Sequence, residues 1–121
     1  MANTETTETD DNGSIYAVQK KIDDILQGYE KPYWSGLSNI ARLVEEVGEV
    51  ARIINHKYGD KPKKDTEKED DLEDELADVL WSLICIANSE GVNLDKGINR
   101  AIEKLLVRDK DRFAKKQSAT E

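Results

Sequence analysis

The amino-acid sequence predicts an all-α protein, a four-helix bundle assembled as a homo-oligomer. Three observations carry that prediction. Apolar residues recur every three or four positions in four stretches, and none of the stretches alternates as a strand would. Gly28, Gly36, Gly59, Pro62 and Gly91 fall between those stretches, where turns are needed. The third stretch is apolar nearly all round, which is more than a 121-residue chain of four helices can bury by itself. A second copy is expected to cover part of it.

The elements follow in chain order. Residues 1–13 read as a disordered tail, because Met1 to Asn12 offer no apolar side chain larger than Met1. Residues 14–116 form the helical domain. Ser14 is the expected N-cap of a first helix carrying Ile15, Val18, Ile22, Ile25 and Leu26, and Gly28 ends it. Tyr29 to Gly36, with Pro32 and Trp34, is a loop. The second helix spans Leu37 to Lys57. Tyr58 to Lys68 is highly charged and reads as a mobile connector. The third helix spans Asp70 to Glu90, with acids at its positive N-terminal end, and Gly91 stops it. Asn93 caps a fourth helix that reaches Phe113. Residues 117–121 are expected to fray.

Composition excludes several classes. The formal net charge of −8 disfavours a duplex nucleic-acid binder, which is usually basic. The single cysteine, Cys85, permits neither an intrachain disulfide nor a thiolate metal cluster, and it reads as a small buried apolar residue. No run of about 18 apolar residues predicts a membrane span, and the N-terminus has neither the apolar core of a signal peptide nor the arginines of a transit peptide. A cytoplasmic location is the expectation. His56 is the only histidine, and no Glu-x-x-His pair argues for a di-iron centre. There is no Gly-x-x-x-x-Gly-Lys loop, and no histidine is placed to activate a Ser or Cys nucleophile.

Two carboxylate clusters at helical spacing stand out. They are Glu45-Glu46-x-x-Glu49 in the second helix and Glu75-x-x-Asp78 in the third. Residues three or four apart share a helix face, so each helix can aim carboxylates at a common point. Charges this close repel unless a cation lies among them, and Mg²⁺ takes such oxygen ligands. At about 100° per residue, Leu43, Val47, Val50 and Ile54 form the expected core stripe of the second helix. Glu46 lies about 60° off it, Glu49 about 60° further round, and Glu45 points more outward. Leu72, Leu76, Leu80, Leu83 and Ala87 form the expected core stripe of the third helix. Glu75 and Asp78 sit on its flank, with Trp81 and Cys85 on another face. A solvated acidic face is the competing account of either cluster taken alone. Compensating bases are sparse: Arg42 and Arg52 flank the first cluster, and none lies between Glu69 and Cys85.

The two clusters, separated by 25 residues, resemble the motif pair of the all-α nucleoside triphosphate pyrophosphohydrolases, the MazG-like superfamily. That superfamily includes the dimeric dUTPases and phosphoribosyl-ATP pyrophosphohydrolase. Leu43-Val44, Val47-Gly48, Val50-Ala51, Leu76-Ala77 and Val79-Leu80 match the text around the motifs. The resemblance covers about Ser38 to Phe113 and is strongest to small stand-alone MazG-type proteins. It implies a Mg²⁺-dependent hydrolase of acid anhydrides, with Mn²⁺ as a substitute, converting nucleoside triphosphates to monophosphate and pyrophosphate. Carried over by motif, Glu46, Glu49, Glu75 and Asp78 are the metal ligands, and Glu45 orients or deprotonates the attacking water. Lys104 and Arg108 correspond to the family's phosphate-binding bases, with a solvated helix face as the alternative. The family assembles as dimers or tetramers. Its analogy also suggests clearance of surplus or damaged nucleotides. Cleavage of phosphoribosyl-ATP, and a non-catalytic helical module, are the other readings left open.

Two residues near the second helix remain divided between roles. Trp34 either stacks on a nucleobase or anchors its loop on the bundle. Asn39 either hydrogen-bonds a base edge or is an ordinary polar residue near a helix start. Trp81 reads as core or interface.

Overall fold

The computed structural model describes residues 14–65 and 71–117. The expected N-terminal tail, part of the connector and the last four residues lie outside the described residues. The described chain is all-helical: α1 (Ile15–Leu26), α2 (Gly36–Tyr58), α3 (Leu72–Ser89) and α4 (Leu94–Glu103), which continues into a π-helical turn (Lys104–Arg108).

Each α-helix starts on a side-chain cap that accepts an otherwise orphaned N–H. Ser14 and Asn93 cap α1 and α4, as their positions suggested. Ser35 caps α2, so Gly36 belongs to the helix and not to the loop. Asp71 caps α3, which starts at Leu72; the expected start, Asp70, lies outside the described residues. Gly91, with φ of +68°, takes the left-handed conformation after α3, and the Val92 N–H then reaches back to the Ala87 carbonyl at 2.8 Å.

The fourth helix stops short of the expected Phe113. Three consecutive apolar residues, Leu105, Leu106 and Val107, cannot share one helical face, and all three are exposed. The ladder widens there, with the Asp109 N–H donating to the Lys104 carbonyl at 2.9 Å.

Packing centres on α3. α2 packs chiefly against it, and α1 leans on both α3 and α4. Glu46 meets Glu75 and Asp78, while the charge of Arg42 acts on Cys85, so α2 and α3 run antiparallel. Among the described residues the apolar core is thin: Ile22, Ile84, Cys85 and Ala87 are buried.

The expected core stripes need correction here. On α3, Ala87 is buried, but Leu76, Leu80 and Leu83 remain 41–51% exposed. On α2, Val47 and Ile54 are also exposed. The face of α3 bearing Ser82 and Cys85 turns toward α2, and the Ile84 and Asn88 side turns toward α1. The leucine row lies on a third side, left open by the described elements. Periodicity identified a genuine apolar stripe but not what packs on it.

Polar groups hold α1 in place. The buried amide of Gln19 donates to Asn88 Oδ1 (3.1 Å) and the Val92 carbonyl (2.8 Å), and accepts from the Leu94 N–H (2.9 Å). Asn88 donates in turn to the Gln19 carbonyl and to Tyr33 Oη. The carboxylate of Asp95 accepts the N–H groups of Ile15 and Tyr16 at 3.1 Å each, placing negative charge on the positive end of α1.

Candidate metal and nucleotide site

The antiparallel pairing of α2 and α3 brings Glu46, Glu75 and Asp78 together. One carboxylate oxygen from each lies within 4.8 Å of the others. Glu46 and Glu75 are half-buried and Asp78 is exposed, so the cluster opens to solvent on one side. Three hard oxygen donors at this spacing suit Mg²⁺, which binds a few carboxylates and keeps several waters. Together with the mutual repulsion of the acids, this donor set fits the expected ion.

Glu49 stands outside that group. It pairs with Arg52 one turn along α2, Arg52 Nε to Glu49 Oε2 being 3.0 Å. Glu45 is exposed on α2, about 100° around the helix from Glu46. Lys104 and Arg108 begin and end the π-helical turn beyond α4, and both are exposed. Arg108 forks onto the Asp109 carboxylate, with both contacts at 3.2 Å. The structure thus joins three of the four expected ligands. The two expected phosphate-binding bases lie in the π-helical turn that extends α4, and α4 packs on α1.

Trp34 and Asn39 come together. Both line a cleft of about 350 Å³ between the loop before α2, the first turns of α2 and the C-terminal half of α3. Tyr33, Arg42, Trp81 and Cys85 complete much of its wall. Arg42, previously only a flanking base, lies over the Trp34 ring at 5.3 Å. Its spacing from Asn39 and Glu46, three and four residues, was the available clue to a shared face. Burial pushes the Cys85 thiol pKa up, and the nearby Arg42 charge opposes that rise. Between cleft and carboxylates on α3 lies Ser82, whose buried Oγ has no hydrogen-bond partner among the described residues.

Comparison with known proteins decides the family. A MazG nucleotide pyrophosphohydrolase domain matches residues 35–113. The chain belongs to the MazG family. The uncharacterized protein YpjD of Bacillus subtilis (strain 168) is 43% identical over 100 residues, 83% of this chain and 90% of that protein. The crystal structure of Bacillus subtilis YpjD superposes with a TM-score of 0.67 at 41% identity, covering 75% of this chain and 93% of that one. The Bacillus-conserved MazG protein, described as a nucleotide pyrophosphohydrolase, gives a TM-score of 0.66 at 38% identity, covering 82% and 96%. The matched MazG segment contains both carboxylate clusters, Asn39 and Arg42, and begins one residue after Trp34. No helix among the described residues is long and apolar enough to cross a membrane.

Proposed function

We propose that this MazG protein hydrolyses nucleoside triphosphates to the monophosphate and pyrophosphate, with Mg²⁺ held by Glu46, Glu75 and Asp78. The convergence of those three carboxylates from two helices is the observation that carries the reading. Bound there, Mg²⁺ neutralises phosphate charge and makes a neighbouring water more acidic. Water oxygen attacks the α-phosphorus, the α–β anhydride bond breaks, and pyrophosphate leaves. Glu45 accepts the water's proton or orients its lone pair. Glu49, paired with Arg52 here, would be a further ligand if that pair opened. Most of the gain comes from positioning and charge neutralisation.

Self-association belongs to the same proposal. The open row Leu76, Leu80 and Leu83 runs along the helix that carries Glu75 and Asp78. A homodimer or homotetramer would cover that row, and a partner subunit would bring its own π-helical-turn bases toward the phosphates. A monomeric mass at micromolar concentration would refute this part.

The decisive experiment is product analysis over a panel of ribo- and deoxyribonucleoside triphosphates, with and without Mg²⁺. Monophosphate and pyrophosphate are expected only with the metal. Release of orthophosphate, or metal-independent turnover, would overturn the assignment.

A further inference from the structure

The cleft beside the carboxylates contains two polar groups that the chain does not satisfy. Asn39 is only 5% exposed. Its Nδ2 donates to the Trp34 carbonyl at 3.3 Å, which fixes the orientation of the amide. Its Oδ1 accepts no hydrogen bond among the described residues and stays accessible from the cleft, so it is free to accept one from a ligand. Arg42 is half-buried and makes neither a hydrogen bond nor an ion pair among them, despite the acid excess of 26 to 18 in the chain. Its contact is the ring of Trp34. A guanidinium offers five N–H donors and accepts nothing, so it calls for oxygen acceptors from outside.

The two groups lie three residues apart on one side of α2. They present an acceptor beside a fork of donors, against the indole rings of Trp34 and Trp81. Asn39 precedes Glu46 by seven residues, or about 10 Å along the helix. A nucleotide whose phosphates lie at the carboxylates can therefore reach the cleft with its base.

We propose that this cleft selects nucleotides whose base carries a lactam edge, a carbonyl oxygen next to a ring N–H, as in guanine, uracil and thymine. Arg42 donates to the carbonyl oxygen and Asn39 Oδ1 accepts the ring N–H. Adenine and cytosine present an amino group beside a bare ring nitrogen, which gives Arg42 no oxygen at that position. Arginine pairs well with base oxygens, and one good pair discriminates by about tenfold or more. The inference rests on the nucleotide-hydrolase reading for its ligand class, but its test does not need turnover.

That test is calorimetric titration of the full chain with GMP, TMP, AMP and CMP in the presence of EDTA. GMP and TMP are expected to bind about tenfold more tightly than AMP and CMP. Arg42→Met should bring all four to the level of AMP, and Arg42→Lys should restore only part of the difference. Equal affinities in the wild type, or no binding of any monophosphate, would overturn the proposal. So would a uniform loss across all four bases in Arg42→Met variants that keep the wild-type circular dichroism. The wild-type ranking stands without any variant. Failure of the lactam rule alongside metal-dependent pyrophosphate release would leave the hydrolase reading intact.

Discussion

The corner where α1 meets α3 and α4 and the seam between α2 and α3 treat polar groups in opposite ways. At the corner, the amides of Gln19 and Asn88 and the hydroxyl of Tyr33 find their partners within the chain. Along the seam, Asn39 Oδ1, Ser82 Oγ and the Arg42 guanidinium find none among the described residues. Gln19, Asn39 and Ser82 are all buried, but the seam also opens to solvent at Asp78 and in part at Arg42. Satisfied buried groups fix geometry, and unsatisfied ones wait for a ligand.

The largest expected effect breaks the seam. Glu46→Gln keeps the shape but removes one anionic ligand. Turnover should fall by about a hundredfold or more. Mg²⁺ should raise the melting temperature of the wild type and not that of this variant, because stabilisation follows binding to the folded state. Unchanged turnover would take Glu46 out of the site.

Next comes the corner. Gln19→Leu deprives the Leu94 N–H, the Val92 carbonyl and Asn88 Oδ1 of their common partner. A loss of about 3 kcal/mol is expected from those unmet groups, read from urea unfolding at fixed protein concentration. The seam's metal response should survive wherever the variant remains folded. A change below about 0.5 kcal/mol would mean that this corner does not hold α1.

Glu49→Gln sharpens the contrast between the two glutamates of one motif. Glu49 is exposed and its partner Arg52 half-buried, so stability should change by less than about 1 kcal/mol. Turnover should fall by about tenfold if Glu49 joins the metal only after leaving Arg52. Full turnover would limit the ligand set to Glu46, Glu75 and Asp78.

The smallest effect is a pH slope. Burial, followed by the hydrogen bond to Asp23, raises the Tyr33 hydroxyl from 10.0 to about 12. A group raised on folding stabilises fully below its unfolded pKa, and that contribution is lost as pH climbs through the folded value. Stability should therefore decline between about pH 10 and 12, and Tyr33→Phe should flatten that decline. Asp23 has the opposite sign. Its hydrogen bonds from Tyr33 and Gln27 hold it below 3.8, so its contribution disappears in acid as pH falls through the lowered value.

Much of the fold was legible because its signals are local. Ser14 and Asn93 cap within three residues, and Gly91 takes a conformation that other residues avoid. The carboxylate motifs were legible because spacing places side chains on a helix face. Three features were not. The covering of Leu76, Leu80 and Leu83 depends on neighbours that no periodicity names. Glu49 was drawn away by Arg52, a competitor three residues along the same helix. Gln19 gave no sign at all, because its partners Asn88, Val92 and Leu94 lie 69 to 75 residues further along the chain.

Gln19 also restricts which residues its position tolerates. Its side chain must both give and take hydrogen bonds at a fixed reach. Glutamate can only take when ionised, leucine can do neither, and asparagine is one methylene short. Position 19 therefore tolerates few other residues without losing one of these bonds. Relatives that preserve this corner are expected to spell the same amide there, even where the rest of α1 has drifted.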